Sequence, residues 1–372
     1  MLPAHLCKFS ELYSKYGLGA VKNLWLLMSL IPMARTVNLN KLKDYVGGAL
    51  KKEQTDAQSH YKRLIRFFQS WSTEEGFVHD VMVNNLRVLR KLGFDKLLLD
   101  GTSWSMGQTQ VHYLVLSVLV KKVAVPIYWV QLGKLGASSQ EERKEMFDKA
   151  LSLFDLRGMT LLADREYIGK EWFKYLKDKG INFVIRLKFA DYYCEVDALK
   201  GRNYQAMYDR CRQKGKLVKK QIQLDGENYW MVIIPNPKPG AAEEVIIFLT
   251  TLPPTTKTTQ LYALRWKIEC LFFHLKTNGY NMEDLNLKST AKSRLMMALV
   301  AGAYLLAIRE GWKRRKQISM QHYKDGSQTL EVSIFRKGLS IILPKCFRLG
   351  VFLKYLSTIF SPQNHPICKN VQ

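Results

Sequence analysis

From Lys91 onward the spacing of apolar residues changes from that of helices to that of strands. The order in which the runs then follow one another restricts the fold of this 372-residue chain more than any other feature. LGFDKLLLDGTSW carries an apolar run ended by Asp-Gly, and VHYLVLSVLVKKVAVPIYWVQLG reads as two β-rich segments broken at Lys121-Lys122. SSQEERKEMFDKALSLFDL reads as a helix opened by Ser, with Glu in its first turn. GMTLLADREY is a further strand, KEWFKYLKDKG a helix ending at Gly180, and INFVIRLK another strand. Three adjacent strands followed by alternating helix and strand predict a mixed α/β sheet covered by helices. From about Phe189 to Glu244 a polar, strand-prone stretch (VKKQIQL, NYWMVII), punctuated by Asp225-Gly226 and PNPKPG, interrupts the alternation as an inserted β-region. EVIIFLTTLPP returns as a core-type strand, and a long helix is expected from about Thr258 to Asn278.

Both flanks read as helical. Residues 1–90 place apolar positions at three- and four-residue spacing in LWLLMSLIPMARTV and YKRLIRFFQSW, which suits either a DNA-recognising region or a plain helical support. Residues 286–372 are mostly helical and carry the basic cluster Arg309, Lys313, Arg314, Arg315 and Lys316. Over the whole chain 57 Lys+Arg stand against 32 Asp+Glu, a formal charge of +25, so polyanions lead the classes of partner and nucleic acid comes first. The longest apolar runs, Leu24 to Met33 and Leu295 to Ile308, fall short of the roughly 20 residues that span hydrocarbon, so buried helices and no membrane role are expected. No basic n-region leads into an apolar h-region at the N-terminus, and the chain is expected in the cytosol with the nucleoid. Cys7, Cys194, Cys211, Cys270, Cys346 and Cys368 form no CxxC pair, which speaks against a zinc ribbon or a disulfide framework.

Asp100 closes the apolar run KLLLD and Asp164 closes MTLLAD, positions that put a carboxylate at a strand end. Either one alone reads first as a turn residue or a helix cap. Paired carboxylates on neighbouring strands hold hard divalent cations. In LYALRWKIECLFFHLKTNGY the polar residues Tyr262, Arg265, Glu269 and Lys276 lie at offsets 0, 3, 7 and 14. At about 100° per residue they form one narrow stripe, with Leu264, Ile268, Leu271 and Leu275 on the opposite face. One carboxylate among two cations and a phenol suits a metal-bound phosphodiester; a solvated face with salt bridges is the other reading. Trp266 and Phe273 flank the stripe, where they can stack on an unpaired base or belong to the core.

The gaps Tyr262-(2)-Arg265-(3)-Glu269-(6)-Lys276 resemble the YREK signature of bacterial DDE transposases of the insertion-sequence type 4 (IS4) family. LLLDGTSW around Asp100 and LLADREYIG around Asp164 look like the segments that hold that family's first two catalytic aspartates. The resemblance covers about Lys91 to Asn278 and implies an RNase H-like catalytic core over 91–285, with the β-rich insertion at 189–244. It implies that Asp100, Asp164 and Glu269 are catalytic and bind two Mg²⁺ or Mn²⁺ ions. Tyr262, Arg265, Lys276, Trp266 and Arg165 would then contact DNA. It further implies cleavage at the inverted terminal repeats of an insertion sequence, hairpin ends and joining to target DNA. A homodimer in the synaptic complex follows, with residues 1–90 binding DNA and 286–372 available for dimerisation. A metal-dependent nuclease or resolvase on the same fold, and a DNA-binding remnant without catalysis, are the alternatives.

Other motifs carry less. His112 and His274 lack a second ligand at zinc spacing. Ser103 and Ser105 lie in GTSWS, which is not a G-x-S-x-G elbow, and no histidine is expected beside them. GKLGAS lacks the Lys-Ser/Thr ending of a phosphate-binding loop, so no nucleotide cofactor is expected. The run GWKRRK reads as a solvated face or a DNA contact.

Overall fold

The computed structural model describes residues 11–88, 93–106, 109–187, 205–237, 240–241 and 243–360. The chain divides into a helical unit, made of residues up to 93, 103–112 and 271 onward, and a sheet unit made of 94–102 and 113–270. The helical unit opens with α1 (Glu11–Ala34), α2 (Leu39–Leu50), α3 (Ala57–Trp71) and α4 (Glu75–Arg87). α1 is bent at Gly17, whose φ of 78° no helix supports. Side-chain caps start the next two helices: Asn38 accepts from the Asn40 N–H, and Asp56 from the Ser59 N–H.

The sheet unit is built on β1 (Lys96–Met106), β2 (Thr109–Val120), β3 (Val123–Leu132), β4 (Thr160–Ala163) and β5 (Asn182–Leu187). Lys121 and Lys122, at φ 49° and 69°, make the two-residue turn between β2 and β3, whose twist matches that of the flanking strands. Helix α5 (Gln140–Leu153) precedes β4, opened by a capping box in which Ser139 and Glu142 each take the other's backbone N–H. Helix α6 (Lys170–Asp178) follows β4. Parallel pairing of β1 with β4 and of β4 with β5 makes the centre of the sheet. Its strands are buried on both faces, as a parallel core requires, with Leu97 to Leu99 and Leu161 to Ala163 fully enclosed.

The stretch expected as an inserted β-region is partly helical. Residues 188–204, with Cys194, lie outside the described residues, as do Cys7 and Cys368 at the termini. Beyond them come α7 (Gln205–Lys214), β6 (Val218–Leu224), β7 (Glu227–Pro235) and β8 (Val245–Thr250). Pairing of β8 with β5 continues the sheet to eight strands in the order β3-β2-β1-β4-β5-β8-β7-β6, so the insertion extends the central sheet. The result is the expected α/β fold with a mixed sheet.

The long helix expected over 258–278 is broken into α8 (Thr258–Ala263), a 3₁₀ turn (Leu264–Trp266) and α9 (Lys267–Leu275). In the helical unit, Leu271 and Leu275 are buried as the wheel required. Next comes α10 (Thr290–Lys313), then a small hairpin of β9 (Met320–His322) and β10 (Gln328–Leu330), α11 (Ile334–Cys346) and α12 (Leu349–Phe360). The two long apolar runs sit in α1 and α10, each 24 residues long, and most of their apolar windows is buried inside the protein. Helix α10 runs against α1, α4 and α11. At the crossing with α11, a Cβ on Gly311 would meet the Ile334 carbonyl oxygen at 1.9 Å and one on Gly338 the Ala307 oxygen at 1.6 Å. Only glycine permits that approach. The basic run at the end of α10 is partly turned inward: buried Glu310 accepts from Lys313 Nζ and Arg314 Nη1, each at 3.3 Å, and from the Tyr355 hydroxyl at 3.1 Å.

Candidate active site

Parallel register brings the two aspartates side by side. The last paired residues of β1 and β4 are Leu99 and Ala163, and Asp100 and Asp164 each follow by one step. Asp100 does not close its strand as expected; β1 continues through Gly101 to Met106, and what ends at Leu99 is the pairing with β4. Each carboxylate is braced by the N–H of the next residue, Gly101 to Asp100 Oδ1 at 2.9 Å and Arg165 to Asp164 Oδ1 at 2.8 Å.

The broken helix supplies the rest. Arg265, in the 3₁₀ turn, holds its guanidinium among three acids: Nη1 lies 3.1 Å from Asp100 Oδ2, while Nη2 lies 2.6 Å from Glu269 Oε1 and 4.0 Å from Asp164 Oδ2. Its side chain is only 14% exposed, against 18%, 32% and 33% for Asp100, Asp164 and Glu269. The Tyr262 hydroxyl donates to Asp164 Oδ1 at 3.3 Å, its ring 4.7 Å from that of Phe248. Burial, and then the charge of Asp164, push the Tyr262 phenol far up, so it stays a neutral donor. Burial raises the Asp100 carboxyl to about 6; Arg265 and the Gly101 N–H pull it down, and Glu166 and Glu269 push it up.

Three carboxylates against one guanidinium leave a formal charge of −3 + 1 = −2 on a set of hard oxygens. Its chemistry fits divalent cations of the Mg²⁺ type. The guanidinium stands in the middle of that set, and among the described residues no three acidic, histidine or cysteine side chains converge closely enough to hold one ion.

Asp100, Asp164, Tyr262, Arg265 and Glu269 thus come together within the sheet unit. Lys276 lies one residue beyond α9, in the helical unit, where its N–H donates to the Phe272 carbonyl at 2.9 Å. Trp266 is 59% exposed at the end of the 3₁₀ turn. Arg165 is engaged in an exposed pair with Glu243 at 3.1 Å, and Glu243 also receives Arg186 at 2.6 Å. Sequence reasoning missed Tyr167, whose ring is fully buried beneath the Arg143 guanidinium at 5.4 Å. Its phenol is pushed well up, by burial first and by the charge of Asp100 next. Its place three residues after Asp164 was the available signal. In the helical unit Ser103 does have a histidine partner, His112 Nδ1 at 2.9 Å, contrary to expectation. Cys211 and Cys346 are buried and Cys270 half-buried, all as free thiols.

The family described as the transposase DDE domain matches residues 92–306. No curated protein matches the chain. Among solved structures the chain is similar to a piggyBac transposase synaptic complex with hairpin DNA, determined by cryo-EM. The TM-score is 0.45 at 10% identity, over 94% of this chain and 78% of that one.

Proposed function

The chain belongs to the transposase DDE domain family, and on that footing we propose that it is the transposase of an IS4-type insertion sequence, cutting at the terminal inverted repeats and joining the released ends to target DNA. The observation that carries this reading is the convergence of Asp100, Asp164 and Glu269 on Arg265.

In the proposed chemistry water adds across a phosphodiester to leave a 3′-hydroxyl and a 5′-phosphate. The 3′-hydroxyl then displaces a 3′-oxygen at a second phosphodiester, so that in this step the number of phosphodiester bonds is conserved and the proton lost by the attacking hydroxyl ends, by way of solvent, on the leaving 3′-oxygen. Asp100, Asp164 and Glu269 would hold two Mg²⁺ or Mn²⁺ ions, which when bound supply Lewis-acid activation of the attacking oxygen and stabilise the leaving one. Before that, Arg265 offsets part of the acids' charge and holds the three carboxylates around its guanidinium. With the acids' charge met by the ions, its fork would be free to take the phosphate oxygens of the strand. Tyr262, held neutral, donates a hydrogen bond at the same place, and Lys276 and Arg165 contribute charge toward the backbone. Trp266 offers an exposed ring for the base that a hairpin must extrude. No nucleotide cofactor takes part; residues 1–90 engage DNA, and residues 286–372 join two copies across paired ends in the bacterial cytoplasm.

The test is excision of a marker flanked by the element's own ends, comparing wild type with Asp100→Asn, Asp164→Asn and Glu269→Gln at matched protein levels. Loss of excision in all three, with DNA binding retained, is the expected result. Cutting by the wild type without joining favours a nuclease or resolvase, and binding without cutting a remnant.

A further inference from the structure

Between α1, α2 and α3 lies a cleft of about 380 Å³, far from neutral in character. Lys52, Arg63 and Arg66 line it together with Thr55, Ser59 and His60, and no carboxylate does. The two acids nearest in sequence are engaged elsewhere, Glu53 with Arg348 at 3.0 Å and Asp56 in capping α3. Arg63 is half-buried and aimed: its Nε donates to Asn23 Oδ1 at 2.7 Å, and Asn23 is itself fixed by donating to the Gly19 carbonyl at 2.9 Å. No described carboxylate meets its charge, and burial alone pulls its ionisation down. A half-buried guanidinium without a counter-charge is costly, and a chain retains one where an anion will meet it. His60, only 6% exposed in the wall, has an Nε2 with no partner among the described residues.

We infer that this cleft takes a phosphodiester segment of a DNA strand, with Arg63, Arg66 and Lys52 on its phosphate oxygens and Thr55 and Ser59 donating to phosphate or sugar. This rests on the DNA-acting role proposed above. The volume exceeds what one phosphate group fills and accommodates its sugar as well. Phe67, the aromatic residue in the lining, is only 3% exposed and offers no face for stacking, so the contact is to the backbone and independent of sequence.

The experiment is fluorescence anisotropy of the full chain with a labelled duplex of arbitrary sequence, in EDTA, over a series of salt concentrations. Each phosphate that the protein no longer neutralises makes the plot of log K against log salt shallower by about 0.9, so Arg63→Gln/Arg66→Gln should reduce the slope by about 2 and weaken binding about tenfold or more. Arg66→Gln alone, on an exposed side chain, should reduce it by about 1. A control pair, Lys149→Gln/Lys179→Gln, removes the same charge from lysines already paired with Glu145 and Asp148 and should leave the slope unchanged. An unchanged slope and affinity in the folded arginine variants, while wild type binds, overturns the inference and leaves the proposed function standing. If the variants lose stabilisation by inorganic phosphate but keep the DNA slope, the cleft holds a free phosphate and the DNA assignment is overturned. A wild type that binds no duplex overturns the proposed function as well.

Discussion

Arg265→Gln removes the one cation from a group of three acids. At an effective dielectric of about 20, a unit pair at 4 Å is worth about 4 kcal/mol, and Arg265 has two closer contacts, to Glu269 at 2.6 Å and Asp100 at 3.1 Å. Glu269 and Asp164 are each about one-third exposed, so solvent takes up part of the loss. Breaking a fully buried pair costs roughly 3–5 kcal/mol, and here about 2–3 kcal/mol is expected. The assay is thermal or denaturant unfolding in EDTA, with the sheet unit's transition falling by about 2–4 °C per kcal/mol. Calorimetric titration with Mg²⁺ should then show the variant binding the ion about tenfold more tightly than wild type, because no guanidinium has to leave the acids. An Arg265→Gln protein equally stable in EDTA, or one that binds Mg²⁺ more weakly, would refute the idea that Arg265 is the resident counter-charge.

Three further outcomes are expected. His274, its ring tilted against that of Phe335 at 4.5 Å, has its pKa lowered to about 4 from its usual 6.5, by burial first and by Arg336 next. Between those values the unfolded chain binds a proton that the folded one does not, so stability is full above about pH 6.5 and falls by about 3 kcal/mol as pH drops to 4. His274→Phe should flatten that slope in denaturant titrations, and an unchanged slope counts against the assignment. Trp266→Ala should leave stability within about 0.5 kcal/mol, the ring being exposed, while reducing hairpin formation on a pre-nicked end more than it reduces nicking. Equal loss of both steps removes Trp266 from the hairpin. Glu310→Gln strips the buried counter-charge from Arg309, Lys313 and Arg314 and should cost about 1–3 kcal/mol in a denaturant midpoint measurement, discounted because Lys313 and Arg314 are near half-exposed while Arg309 is only 18% exposed. No shift in the midpoint would mean that solvent already satisfies them.

What could be read before the structure was local. Ser139 with Glu142 announces its helix because the capping box lies within four residues. Lys121-Lys122 was legible as a break, although neither residue is a usual carrier of positive φ; the flanking β-rich runs identified it. The adjacency of Asp100 and Asp164 is implied by the family resemblance and not by local pattern, since it depends on pairing between strands 64 positions apart, and register is set by the whole sheet. Tyr262, Arg265 and Glu269 were placed on one face by an unbroken helix. They share it across a 3₁₀ turn because the three-residue step from Tyr262 to Arg265 stays on one side in either geometry, and the four-residue step to Glu269 runs mostly through α9. Arg265 and Glu269 were legible as an i,i+4 pair, but the reach of the same guanidinium to Asp100 was not. Helix α7 was missed because QAMYDRCRQK has almost no apolar stripe to betray it.

The central claim is that Asp100, Asp164 and Glu269 ligate the ions that activate the phosphodiester, and ligand softness tests it most directly. A thiolate in place of a carboxylate disfavours Mg²⁺ and accepts softer metals. Cleavage of a terminal-repeat duplex by Asp100→Cys, Asp164→Cys and Glu269→Cys should be abolished in Mg²⁺ and partly restored in Mn²⁺ or Cd²⁺, while wild type cuts in Mg²⁺. A folded cysteine variant that cuts at the wild-type rate in Mg²⁺ would contradict the account at that residue.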